Sequence, residues 1–118
     1  MEGSEFVEAV RRYVRDESIK DNLHLFSDPP GRAPKTELVE LSNWYNALDD
    51  HGKEMVRRIV SESVDAGLFS LFCVLDGVRT IEEKDPKGEF KLYYVNGEAK
   101  VLINDVDKEF LHDLYNAE

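Results

Sequence analysis

Each of the three histidines in this 118-residue sequence stands close to carboxylates: His51 follows Asp49 and Asp50, His112 precedes Asp113, and His24 lies three residues after Asp21. A carboxylate beside an imidazole is a pairing used in general acid and base catalysis, provided that a cleft brings substrate to it. With 25 acidic residues in the chain, such adjacency also arises by composition alone. His51 is therefore read as a helix N-terminal residue among solvated capping acids, and His24 and His112 as surface or half-buried packing residues. Asp76 and Arg79 are of more interest. They lie next to the most apolar run of the chain and three apart, a spacing that on a helix puts them within ion-pair reach. They are read either as a pair leaving the core at a helix end or as the lining of a pocket.

Other chemistries find less support. Asp105, Asp107 and Glu109 alternate as in a calcium loop, but the glycine at the sixth position and the distant bidentate glutamate are missing. Acids at that point serve equally well as the first turn of a final helix, where they complement its dipole. One cysteine and three scattered histidines lack zinc-ligand spacing. Cys73 sits in apolar surroundings, where a thiol is unreactive. No serine occurs in G-x-S-x-G, and Gly31-Arg32 lacks the second glycine and the lysine of a phosphate loop. No metal, no cofactor and no catalytic residue is expected.

Composition sets the frame for these residues. A chain of this length, 42% hydrophobic and 34% charged, has the makings of one globular domain over residues 1–118 that needs no disulfide or metal to fold. A single cysteine excludes an intrachain disulfide and points to a reducing compartment, the cytoplasm. Met1 to Phe6 has neither the basic nor the apolar region of a secretory signal. The apolar run Ala66 to Leu75 is far shorter than the roughly 20 residues that span a bilayer. Net charge is −10, and acids outnumber bases by seven to six over residues 1–35, eight to four over 36–81 and ten to five over 82–118. That field disfavours nucleic acid and anionic membranes and favours a basic protein partner.

The periodicity predicts an α+β fold with four main helices and one C-terminal antiparallel β-hairpin. The first helix runs from Ser4 to about Ser18 with Phe6, Val10, Tyr13 and Val14 inward, and Ile19 to Phe26 adds a turn or two. The stretch from Ser27 to Pro34, with three prolines, is a loop. Thr36 starts a second helix carrying Leu38, Leu41, Tyr45 and Leu48 on one face and Trp44 at its edge. A long central helix over about 50–82 follows. Stepped at about 100° per residue from Met55, its Ile59, Ser63, Ala66, Gly67, Ser70, Cys73, Val74 and Gly77 share one face, a stripe of small residues to which a neighbouring helix can approach closely. A competing signal sits in this stretch. Asp76-Gly77 is the dipeptide of a type I′ turn, so residues 68–83 read alternatively as a hairpin.

The clearest hairpin signal is Asn96-Gly97, between strands over about 89–95 and 98–104. Pairing Val95 with Glu98 sets Tyr94 opposite Ala99, Leu92 opposite Val101 and Phe90 opposite Ile103, all on one face. Asn104 or Asp105 then caps a last helix that buries Val106, Phe110, Leu111 and Leu114. Trp44, Tyr93 and Leu102 are the large residues this core accounts for least well, and exposed aromatic anchors dominate interface energies. They are the expected partner-binding residues of a non-catalytic protein-binding domain of the inhibitor, immunity or regulatory kind. Two alternatives stand beside this reading. One is a small-ligand-binding protein or minor enzyme using a pocket between the long helix and the hairpin, with Asp76 and Arg79. The other is homodimerisation through the hairpin edge or the Tyr93 and Leu102 face.

Overall fold

The computed structural model describes residues 1–117, in four helical runs and one two-stranded antiparallel sheet, the α+β arrangement expected. The first run comprises α1 (Gly3–Val10), a π-helical turn (Arg11–Arg15) and α2 (Asp16–Ser27). After the proline-bearing loop come α3 (Thr36–Asn46), α4 (Asp50–Leu75), β1 (Tyr93–Asn96), β2 (Ala99–Leu102) and α5 (Leu111–Asn116). The chain divides into two compact units. One is made of residues 1–14 with those from Ala66 onward, the other of Arg15–Asp65.

In the first unit Val7, Phe72, Ile103, Leu111 and Tyr115 form the core, with Leu111 wholly buried. Phe6 meets Phe72 edge-on at 6.3 Å between ring centroids, and Tyr115 lies 5.4 Å from the same ring. α1 packs on α5. A Cβ at Gly3 would fall 2.8 Å from the Ile103 carbonyl oxygen, so only glycine permits this close approach. α1 begins without help from a Ser4 hydroxyl. Its Glu2 amide donates to Glu5 Oε1 at 3.1 Å, half of a capping box. The inward stripe read from the sequence slips after Val10. Tyr13 is 68% and Val14 44% exposed, while Ile19 is buried. The π-helical turn supplies the reason, because a wider turn delays every later side chain by about one position.

In the second unit α2 packs on α3. The Phe26 and Tyr45 rings lie 6.2 Å apart, and Asn46 Nδ2 donates to the Ser27 carbonyl at 3.0 Å. The less exposed positions of α3 are Leu38, Ser42 and Tyr45, so Leu41 stands outside the face assigned to it. Arg15 grips Asp65 with two hydrogen bonds, of 2.6 and 3.2 Å, and reaches Asp16 at 2.8 Å. The Asp65 carboxylate holds the guanidinium above its ordinary pKa.

α4 ends at Leu75 rather than near residue 82, and no hairpin turns about Asp76-Gly77. Gly77 adopts φ +77°. Its amide donates to the Val74 carbonyl and that of Val78 to the Cys73 carbonyl, a Schellman cap with glycine at C′. The same dipeptide that suits a tight turn thus closes a helix. The small-residue stripe is not a packing face in the way expected. Nothing lies within 4 Å of a Cβ built at Gly67, and Met55 and Ile59 are exposed. The face turned to the core of the first unit carries Leu68, Phe69, Phe72 and Leu75 instead, which bury far more apolar area than glycine and serine can.

The hairpin forms where expected, with shorter strands and a different register. Tyr93 pairs with Leu102, Tyr94 with Val101, Val95 with Lys100 and Asn96 with Ala99. The loop is therefore Gly97-Glu98. Only Gly97 has positive φ, +62°, the pattern of a type II′ turn with glycine first, whereas type I′ would need positive φ at both loop positions. Moving the pairing by two residues keeps the paired side chains on their expected faces, because the strand period is two, whereas Phe90, expected on the core face, precedes the strands and is 50% exposed. The Ile103 amide extends the ladder to the Leu92 carbonyl at 2.8 Å.

Gly67 within α4 and Gly77 just past its end should respond oppositely to alanine. Gly67→Ala adds a methyl in open space within a helix and is expected to raise stability by about 0.5–1 kcal/mol. Gly77→Ala forces a side chain into the left-handed region and is expected to lower it by about 1–2 kcal/mol. Urea denaturation of both variants checks this, and a destabilised Gly67→Ala would restore the close-packing role of the stripe.

Candidate functional site

The strongest polar constellation lies just past the end of α4 and joins residues that the sequence separates by 35 and 36 positions. Asp76 is the C-cap of α4, and its side chain has no exposed surface. Its Oδ1 accepts the Leu111 amide at 2.9 Å and its Oδ2 the His112 amide at 2.9 Å, so the carboxylate caps the first turn of α5. The His112 Nδ1 lies 2.6 Å from the same Oδ2. A carboxylate that accepts two backbone amides has no proton of its own to give, so in this contact Nδ1 donates and Oδ2 accepts. The imidazole is held between Phe69, at 5.7 Å and nearly perpendicular, and Phe110, at 5.3 Å. The opposite end of α5 is also met by charge. Arg11 donates to the Leu114 and Tyr115 carbonyls and sets its guanidinium 5.2 Å over the Tyr115 ring.

A second buried polar residue, Asn104, ties the same region together. Its Oδ1 accepts the Leu92 amide at 2.8 Å, and its Nδ2 donates to the Leu75 and Phe90 carbonyls at 2.6 and 2.8 Å. One amide thereby serves the last residue of α4 and the strand entry. Asn104 is not the cap of the last helix, which starts seven residues later at Leu111. Val106, expected inside, is 44% exposed.

Chemically, Asp76 with His112 is the carboxylate–imidazole half of a catalytic triad, with Nδ1 oriented and Nε2 available. Asp113 Oδ1 lies 3.4 Å from Nε2. Among the described residues no serine hydroxyl or cysteine thiol bonds to Nε2, so the arrangement lacks a nucleophile of its own. Asp76 and Arg79 are not brought together. Arg79 donates instead to Ser70 Oγ at 3.0 Å, because the chain leaves the helix between them. The concavity beside Asp76 measures about 140 Å³ and is bordered by Phe90, Lys91, Leu102, Asn104 and Asp105. Ligand clefts ordinarily span about 300–1,000 Å³. A larger depression of about 420 Å³ runs along Val106, Phe110, Asp113 and Leu114 on the outside of α5.

Trp44 lies on α3 and is 58% exposed. Tyr93 and Leu102 are cross-strand partners in the hairpin, Tyr93 being 43% exposed with the Lys100 ammonium 4.3 Å over its ring. Among the described residues no group of three or more histidine, cysteine or acidic side chains is placed to share a metal ion, and no helix is long and apolar enough to cross a membrane. The Asp76–His112 pair carries no short-range sequence signal. The available cue is a charged residue embedded in an apolar run, which points to burial without naming the partner.

Removing the carboxylate should be more damaging than removing the ring. Asp76→Ala leaves two buried amides and the imidazole without an acceptor, and a loss of about 3–5 kcal/mol is expected. His112→Phe keeps the aromatic packing and leaves Asp76 its two backbone donors, for a loss of about 1–3 kcal/mol. Urea denaturation gives the order, and the reverse order would show that the carboxylate is not the tie.

The chain matches no protein-family model, and neither curated proteins nor solved structures contain a significant match to it.

Proposed function

We propose that this chain is a non-catalytic protein-binding domain whose acidic surface engages a basic partner, in the manner of a small inhibitor, immunity-type or regulatory protein. The observation that carries the reading is a division of labour among side chains. Asp76 and Asn104, polar groups well placed for chemistry, have their hydrogen bonds occupied within the fold, and His112 commits its amide and Nδ1 to Asp76. Trp44, the only tryptophan, instead spends more than half of its surface in solvent. A net charge of −10 adds long-range attraction for cationic proteins. Capture from native lysate should enrich a basic protein at low ionic strength and lose it at high, since charge-steered association weakens on screening. Recovery that is absent, or indifferent to salt, removes the basis of the reading.

Self-association is a second reading, favoured by one observation. Tyr93 and Leu102 pair across the hairpin with Tyr93 exposed, and among the described residues each strand of the sheet has only the other as neighbour. Free edges of this kind pair with other strands. Sedimentation of the wild type against Tyr93→Glu tests it: a dimer dissociated by the substitution supports this interface, and an unchanged monomer is fatal to it.

A further inference from the structure

We infer that the outer face of α3, formed by Glu37, Glu40, Leu41 and Trp44, is the surface that enters the partner, as a helix laid into an apolar groove rimmed by lysine or arginine. This deepens the reading of a basic protein partner and rests on it. The four positions fall at spacings of three, four and seven, so they share one side of the helix. The other side is already used: Ser42 is buried, Tyr45 packs on Phe26, and Asn46 bonds to Ser27. On the outer side Leu41 is 49% and Trp44 58% exposed, and they are neighbours one turn apart. That is an aromatic and an aliphatic anchor in the arrangement by which helices fill grooves.

Charge selects the occupant. The ion pairs of this unit join Arg15 to Asp16 and Asp65, and Arg57 to Glu54. Glu37 and Glu40 enter none among the described residues. Lys35 sits at the N-cap, outside their arc, and Lys53 lies over the Tyr45 ring on the packed side. The anchors are therefore flanked by uncompensated carboxylates. An acidic groove or an anionic membrane would be repelled, and a groove with a cationic rim would be matched.

A photo-crosslinking residue placed at Leu41, with one at the exposed Lys20 as control, tests the inference in lysate, followed by titration of the purified adduct partner. Trp44, being the only tryptophan, reports its own burial by fluorescence. The expected result is an adduct from position 41 alone, with a basic protein whose titration shifts Trp44 emission to shorter wavelength. Leu41→Asp should weaken that binding by about tenfold or more, and Glu37→Gln with Glu40→Gln should flatten its salt dependence. An adduct with a second copy of this chain, or with a neutral or acidic protein, overturns the inference. So does a basic protein bound by wild type and Leu41→Asp alike with Trp44 emission unmoved, which leaves the broader reading standing. If no basic protein is captured by any variant, the broader reading falls with it.

Discussion

A single buried carboxylate organises the first unit of this protein. Asp76 stands where α4 stops, and it answers a problem that both neighbouring elements share. α5 is six residues long and offers unpaired amides at its start. Those amides and an aromatic-flanked imidazole lie inside the fold, where unpaired donors are expensive. One anion accepts from all three. Removing a charge from water is itself unfavourable, so Asp76 is tolerated because its environment supplies donors from two directions. The geometry of α5 relative to the end of α4 follows from that requirement, and Arg11 secures the other end of the same short helix.

This arrangement also explains why a catalytic-looking pair need not be catalytic. An aspartate that orients a histidine through Nδ1 is what a proton-transfer site requires, yet the same contact follows from satisfying a buried helix start with the nearest acid. What separates the two cases is the far side of the ring. Here Nε2 faces Asp113 at 3.4 Å, with phenylalanines on either side of the imidazole.

Most of the architecture is legible in local patterns. Helical periodicity, the proline-rich break and Asn96-Gly97 located four helical runs and a hairpin, because each depends on neighbours in the chain. Three features depend on more than that. A left-handed glycine after an aspartate is compatible with a turn or a helix cap, and the choice is made by carbonyls at Cys73 and Val74 seeking donors. The hairpin register depends on whether asparagine or glycine takes the first loop position, a difference of two residues invisible to face alternation. The π-helical turn has no composition of its own, and it moved Tyr13 and Val14 out of the stripe. For the candidate site, Trp44 and Tyr93 were legible as large residues without a place in the core. The link from Asp76 to His112 was not, since nothing near either residue names a partner some 36 positions away.

Asn104 has an effect on the segment that it brackets. By holding the Leu75 carbonyl, the Phe90 carbonyl and the Leu92 amide at once, this side chain fastens the two ends of the irregular stretch between helix and hairpin to a single point. The intervening chain, from Val78 to Glu89, is exposed throughout and contributes no residue to the buried cluster. Its length is thus decoupled from the geometry of the core. A backbone scission there would leave two fragments still clasped by the same amide and by Asp76, which makes this loop the natural place to open the chain for fragment complementation or to graft a reporter.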